Sequence, residues 1–249
     1  MKRNVYKALV EWKLNLHRKP LVINGARQVG KTYVLQEFAR QEFSKNVYFS
    51  LDRNWKAKQV LESESSVQSI ILALSALSGI DITPNDTLIV IDEIQESPKS
   101  LNVLKSFCEE GPEYPIVVAG SLLGISLHSG VSYPVGKVNE MNIYPMNFEE
   151  FLLAKGEKEM YKLLVEQDFD TMNLLHERYV DLLRQYYYVG GMPEVVARYV
   201  EDGALQEVRR IQLEILNGYD RDFSKHAPKE QVPRIRMVWK SIPSQLFKE

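Results

Sequence analysis

Gly25-Ala26-Arg27-Gln28-Val29-Gly30-Lys31-Thr32 is the stretch from which the rest of the chain can be read. It fits G-x-x-x-x-G-K-S/T at every fixed position. Glycines at both ends let the backbone curl until successive N–H groups turn inward toward an anion. A helix beginning at Lys31 would aim its positive dipole end at the same point. Lys31 is then expected to reach β- and γ-phosphates, and the Thr32 hydroxyl to ligate Mg²⁺. The apolar Leu21-Val22-Ile23 precedes the loop and a helical pattern from Lys31 to Phe43 follows it, the strand–loop–helix setting that the motif requires. Expected nucleotide contacts are Gly25, Ala26, Arg27, Gln28, Val29, Gly30, Lys31 and Thr32, with Tyr33 beside them. Arg27 and Gln28 have a second reading, in which they only shape the loop or cap a neighbouring strand.

Further along, Leu88-Ile89-Val90-Ile91-Asp92-Glu93 is an apolar strand ending in two acids. Such a strand carries its last residues to the carboxyl edge of an open α/β sheet, where ligands bind. Asp92 is expected to hold the hydration shell of Mg²⁺. Glu93 would point to the opposite side and orient or deprotonate the attacking water, a role that contributes about 10²- to 10⁴-fold in rate. A third apolar run, Ile116-Val117-Val118-Ala119, leads to Gly120-Ser121. Ser121 would sense the γ-phosphate or hold the water; the plainer alternative is a serine that ends a strand. No Asn-Lys-x-Asp guanine-reading motif follows, which favours ATP.

The apolar runs are continuous rather than alternating, as strands read when both sheet faces are covered. Asn46 to Leu51 is a fourth strand candidate, and residues 137–143 a further one. Helical patterns lie between them, at Val67 to Leu77 and at Ser100 to Glu110, with Ser97-Pro98 reading as a helix start. Strands alternating with helices predict a parallel three-layer α/β sheet. After Tyr144-Pro145 the character changes. Asn147-Phe148-Glu149-Glu150 reads as a capping box. Leu174, Leu175, Tyr179, Leu182, Leu183, Tyr186 and Tyr187 recur at helical spacing, as do Leu205, Val208, Ile211, Ile215 and Tyr219. Gly190-Gly191-Met192-Pro193 breaks two helices. Tyr186-Tyr187-Tyr188 reads as packing more than as base stacking.

Lys plus Arg is 31 against 33 for Asp plus Glu in 249 residues, a net charge of −2. That balance gives DNA binding no support, although a local patch can hide in a balanced total. The single Cys108 cannot form an internal disulfide and suits a reducing compartment. No apolar run approaches the roughly 20 residues of a bilayer span. Lys7, Glu11 and Lys13 interrupt any signal-peptide core after the basic Met1-Lys2-Arg3 start. The expectation is a cytoplasmic protein without a membrane partner.

The motifs in this order resemble AAA+-like ATPases. The chain looks like the prokaryotic AAA-domain ATP-binding proteins that carry a C-terminal domain of unknown function. The residues behind the likeness are Gly25 to Thr32, Ile91-Asp92-Glu93-Ile94-Gln95 and Ala119-Gly120-Ser121-Leu122-Leu123-Gly124. Tyr133 to Val138, Tyr144-Pro145-Met146, Gly190 to Glu194, Asp222 to Ala227 and Ser241-Ile242-Pro243 extend it over the chain. The resemblance implies a P-loop NTPase fold of the ASCE type: a parallel sheet with helices on both faces, followed by an all-helical lid. It implies that the Ser121 strand lies between those of the phosphate loop and of Asp92. It also implies a use for Gly191-Met192-Pro193, since related switch ATPases set such a turn against the adenine; the alternative is that Pro193 merely starts a helix.

The expected organisation is an N-terminal helix (1–19), an ATP-binding core (20–150), a helical lid (151–222) and the start of a truncated C-terminal domain (223–249). Family members usually continue well past the segment like Ser241 to Leu246, whereas this chain stops at Glu249. Arg198, Arg209, Arg210 and Arg221 read as solvated helix faces, so no trans-acting arginine is expected among them. Three functions follow: a Mg-dependent ATPase with Glu93, Lys31 and Ser121 as catalytic residues, a nucleotide-operated switch or scaffold, and a DNA-associated ATPase serving a protein partner.

Overall fold

The computed structural model describes residues 1–63, 65–121 and 133–245. Leu122, Leu123, Gly124, His128 and Leu246 lie outside the described residues. Five strands, β1 (Leu21–Asn24), β2 (Lys45–Ser50), β3 (Thr87–Asp92), β4 (Ile116–Gly120) and β5 (Asn139–Asn142), form one parallel sheet in the order β2-β3-β4-β1-β5. β4 therefore lies between β1 and β3, with Val117 opposite Leu21 and Ile116 opposite Ile89. The continuous apolar runs have the cause expected of them, since all six residues of β3 are buried. Alternate residues point to opposite faces. Leu88 and Val90 join Ile23, Val117 and Ala119 under α1 (Val5–Leu14) and α2 (Lys31–Glu42). Ile89 and Ile91 join Val22, Phe49 and Val118 under α3 (Trp55–Glu62), α4 (Val67–Ser78) and α5 (Val103–Glu110). This is an α/β fold with helices on both faces of the sheet.

Beyond β5 the chain is helical: α6 (Phe148–Lys155), α7 (Lys158–Glu166), α8 (Phe169–Leu174), α9 (His176–Val189), α10 (Pro193–Asp202), α11 (Leu205–His226) and α12 (Val232–Gln245). α6 opens with the expected capping box: Asn147 accepts from the Glu150 N–H, and Glu150 accepts from that of Asn147. Phe151, Val195, Val196, Val208 and Ile211 form a further core cluster, and Met192 packs against both it and the cluster under α1 and α2. Among the described residues no helix is long and apolar enough to cross a membrane.

Three local expectations are corrected. Ser97 does not cap an α-helix. It is buried with its hydroxyl on the Glu62 carboxylate and 2.6 Å from that of Ser100, and a 3₁₀ segment (Pro98–Asn102) precedes α5. Leu174 and Leu175 are exposed, because α8 ends at Leu174 and a new helix starts one residue later, so their spacing belongs to no single stripe. Of the tyrosine run only Tyr186 packs, against Phe148 and Phe151; each step along a helix turns about 100°, which leaves Tyr187 and Tyr188 exposed.

The helical half meets the core segment at Met146. Its N–H donates to the Gly191 carbonyl at 2.6 Å, and its own carbonyl accepts the Tyr186 hydroxyl at 2.8 Å. A Cβ on Gly191 would stand 2.1 Å from the Met146 oxygen, so only glycine fits without moving backbone. Overpacking a site of this kind costs about 1–3 kcal/mol. Gly191→Ala is therefore expected to lower the midpoint of thermal unfolding by about 2–12 °C for a chain of this size; an unchanged midpoint in calorimetry would refute the close approach.

Candidate nucleotide-binding site

The phosphate loop leaves β1 pressed against the segment after β5. The Ile143 N–H donates to the Asn24 carbonyl at 2.8 Å, and a Cβ on Gly25 would lie 2.4 Å from the Ile143 oxygen. A side chain there would force the loop off the sheet edge. Gln28 (φ 64°) and Gly30 (φ 89°) are both left-handed. These reversals fold the loop into a concavity and turn the chain into α2. Gln28 has a Cβ, so its conformation carries strain that glycine would not. Val29 offers backbone alone, because its side chain is fully buried in the core.

Lys31 opens α2 and is buried. Its Nζ donates to the carbonyls of Gly25 at 2.8 Å and Ala26 at 2.9 Å. An ammonium has three donors, so one is left over at the mouth of the loop. Burial pulls the Lys31 ammonium below its ordinary value, while the negative charges of Glu93 and Asp92 act in the opposite direction. Thr32, next on the helix, donates its hydroxyl to Asp92 Oδ2 at 2.6 Å. Strand alternation explains the meeting: Asp92 is in phase with Leu88 and Val90 and so faces α2. Tyr48, on the same face of β2, donates its hydroxyl to the same oxygen at 2.8 Å. Burial first, then that bond to a carboxylate, raises the Tyr48 phenol above its ordinary value.

Glu93 does not continue the alternation that the sequence suggested. It adopts a left-handed conformation (φ 55°, ψ 43°), leaving the strand, and its side chain enters the cleft. Its carboxylate accepts from the Gln95 amide, whose own Oε1 is buried without a hydrogen-bond partner.

A cleft of about 660 Å³ brings these groups together. Arg27, Gln28, Gly30, Lys31, Thr32, Tyr33, Glu93, Ser121 and Pro193 line it, with Met1, Arg3, Glu194 and Ala197. Pro193 closes on the loop, its Cγ 3.5 Å from where a Cβ on Gly30 would be. Gly25, Ala26 and Val29 form the loop behind this wall, and Asp92 stands behind Thr32. Arg198, Arg209, Arg210 and Arg221 all bond to neighbours on their own helices.

The sequence reading does not single out Arg3 or Tyr48 as site residues; it takes Gln95 only as part of the family likeness and Glu150 only as part of the capping box. Arg3 donates from Nε to Glu150 at 3.1 Å, and from its other nitrogens to the carbonyls of Val29 at 2.8 Å and Tyr144 at 2.6 Å. Nothing in a basic N-terminus announces partners that are 26 to 147 positions away. Tyr48 carried a weak signal: alternation from Val47 and Phe49 puts it on the Asp92 face.

The loop after β1 and the carboxylate end of β3, with β4 between the two strands, define a P-loop ATPase-type fold. The AAA domain family matches residues 17–152. The chain belongs to that family. A domain of unknown function (DUF8612) matches residues 180–249, from within α9 through α12. A sequence comparison with curated proteins gives no match. Among solved structures, the chain is similar to a Walker-type ATPase of Pyrococcus abyssi at 15% identity and a TM-score of 0.56, over 94% of this chain and 77% of that one. AMPPCP-bound DnaA from Aquifex aeolicus aligns at 13% identity and 0.46, over 84% and 65%. The Drosophila ORC bound to DNA aligns at 14% and 0.44, over 85% and 66%. At 15% identity the likeness to the Pyrococcus protein is one of fold.

Both members of the Arg3–Glu150 pair have side chains only 6% exposed. Removing one partner of a buried pair costs about 3–5 kcal/mol, because the other charge is left without compensation. Glu150→Ala, which also deletes the α6 capping box, is expected to destabilise by at least that much in urea titration. A loss under about 1 kcal/mol, the range of exposed pairs, would show that the pair is solvated.

Proposed function

We propose that the chain is a Mg-dependent ATPase working in the cytoplasm, a setting that its single, unpaired Cys108 suits. The observation that carries this reading is the convergence of Lys31, Thr32 and Glu93 on one cleft, with Asp92 bonded to Thr32 behind it. The cradle fits a triphosphate. The left-handed Gln28 and Gly30 curl the backbone around a concavity, and the buried ammonium keeps one donor for an anion. Thr32 and Asp92 are the hard oxygen ligands that Mg²⁺ takes. When bound, the ion would neutralise charge on the β- and γ-phosphates.

Lys31 would stabilise the charge that develops as the terminal phosphoryl leaves. Glu93 would orient the attacking water and accept its proton, with Gln95 holding the carboxylate in place. Ser121 would stand on the other side of the terminal phosphate. Tyr33 and Pro193 would flank the nucleoside, which makes the helical segment 151–222 a lid over a core of residues 20–150, with 1–19 as an N-terminal helix. A nucleotide-operated switch with little turnover is the second reading. It is favoured by contacts from the phosphate loop to α11, through Tyr219 and Asp222.

Lys31→Ala removes the charge partner of desolvated phosphates, a loss of about 2–5 kcal/mol. Mg-ATP affinity in calorimetric titration should fall about 30-fold or more; unchanged affinity would sink the site. Glu93→Gln should keep binding but slow phosphate release at least about tenfold. Equal, negligible turnover in both wild type and Glu93→Gln would select the switch.

A further inference from the structure

One side chain of the phosphate loop faces away from the cradle toward the C-terminal helices while still lining the cleft. The Arg27 guanidinium meets Asp222 of α11 through a single N–H. Arginine has five N–H donors, and among the described residues a hydrogen bond engages one nitrogen of Arg27 alone. The Arg27 carbonyl accepts the Tyr219 hydroxyl at 2.8 Å, one helical turn before Asp222. The same turn of α11 holds α12. Trp239 packs its ring on Tyr219 at 5.9 Å and on Phe223 at 5.4 Å, and Arg236 grips both Asp220 oxygens at 3.0 and 2.8 Å. Residues 219–223 are therefore the point at which the phosphate loop touches a bonded helix pair.

We propose that Arg27 couples the nucleotide site to the α11–α12 pair: nucleotide phosphates and the Asp222 carboxylate compete for its guanidinium, so that binding loosens α11 from the loop. This rests on the reading of the cleft as a nucleotide site. Three observations favour competition over a fixed strut. The Arg27 side chain is 52% exposed, against 13% for Asp222, so the guanidinium is the end of the pair that is open to solvent and able to turn toward another anion. The contact is to one oxygen, without the paired geometry that makes arginine–carboxylate bonds strong. A polyphosphate also carries more negative charge than one carboxylate, and it would be held a few residues away in the same loop. The Arg27 charge already reaches the cradle: it opposes protonation of Lys31, and its own guanidinium is held charged first by the Asp222 bond and, further down, by the negative charge of Glu93.

Coupling of this kind is reciprocal: if nucleotide weakens the latch, cutting the latch tightens nucleotide by the same factor. Mg-ATP affinity should be measured by calorimetry on wild type, Asp222→Ala, Asp222→Asn, Arg27→Ala and the Arg27→Ala/Asp222→Ala double variant. Both Asp222 variants are expected to bind about 2- to 5-fold more tightly than wild type, the full worth of a weak pair. The asparagine keeps the volume of the carboxylate if the alanine disturbs folding. In the Arg27→Ala background the Asp222 change should have no effect on affinity. Saturating Mg-ATP should also shift the tryptophan emission of wild type, with the shift lost in Trp239→Phe and in Arg27→Ala. Wild-type binding combined with equal or weaker binding by both Asp222 variants overturns the coupling and leaves the nucleotide site standing. Absence of binding by wild type removes both.

Discussion

The Arg3 guanidinium holds together three stretches of chain that are far apart in sequence. It sits on the carbonyl of Val29 in the phosphate loop, on that of Tyr144 after β5, and on Glu150 at the start of α6. Glu150 in turn accepts from the backbone N–H of Asn4 and closes the capping box of its own helix. A buried guanidinium without these partners would be costly, so the pair is tolerated only when loop, linker and helix are all in place. The relative setting of the sheet and the helical half follows from that requirement. So does the cleft between them, since Arg3 is also one of its walls.

Within that frame the candidate site is a set of polar groups whose burial demands partners. Lys31 is anchored by two carbonyls of its own loop, and Asp92 by a threonine, a tyrosine and the N–H of Glu93. Such a network holds its members in one geometry. Glu93 is the member set apart by backbone strain, being a non-glycine residue in the left-handed region just past the end of β3. The Gln95 oxygen beside it is the only unsatisfied buried polar side-chain atom of this corner among the described residues. Strain and an unpaired polar atom at a sheet's carboxyl edge are the two local rule violations that functional sites commonly carry.

The fold was legible because its signals are local. Leu21 to Ile23, Leu88 to Ile91 and Ile116 to Ala119 read as strands covered on both sides, and each lies in a strand buried on both faces. Asn147 and Glu150 sit at the capping-box spacing and form one. The misread positions have two different causes, a distant partner and an unannounced helix break. Ser97 turned to Glu62 instead of the backbone, and Leu174 was stranded by a helix break that no glycine or proline announces.

The sequence by itself determined the phosphate loop, the acidic strand end and the alternation that puts Asp92 on the face of α2. Those properties depend on spacing along a few residues of backbone with fixed periods. Only the tertiary structure decided which distant groups meet there: Arg3 beneath the loop, Tyr48 on Asp92, Pro193 against Gly30, and Asp222 on Arg27. A hydrogen bond between residues 195 positions apart leaves no periodic trace in the chain. Its partners are chosen by how the sheet and the helices pack, and packing is a property of the whole fold rather than of any segment.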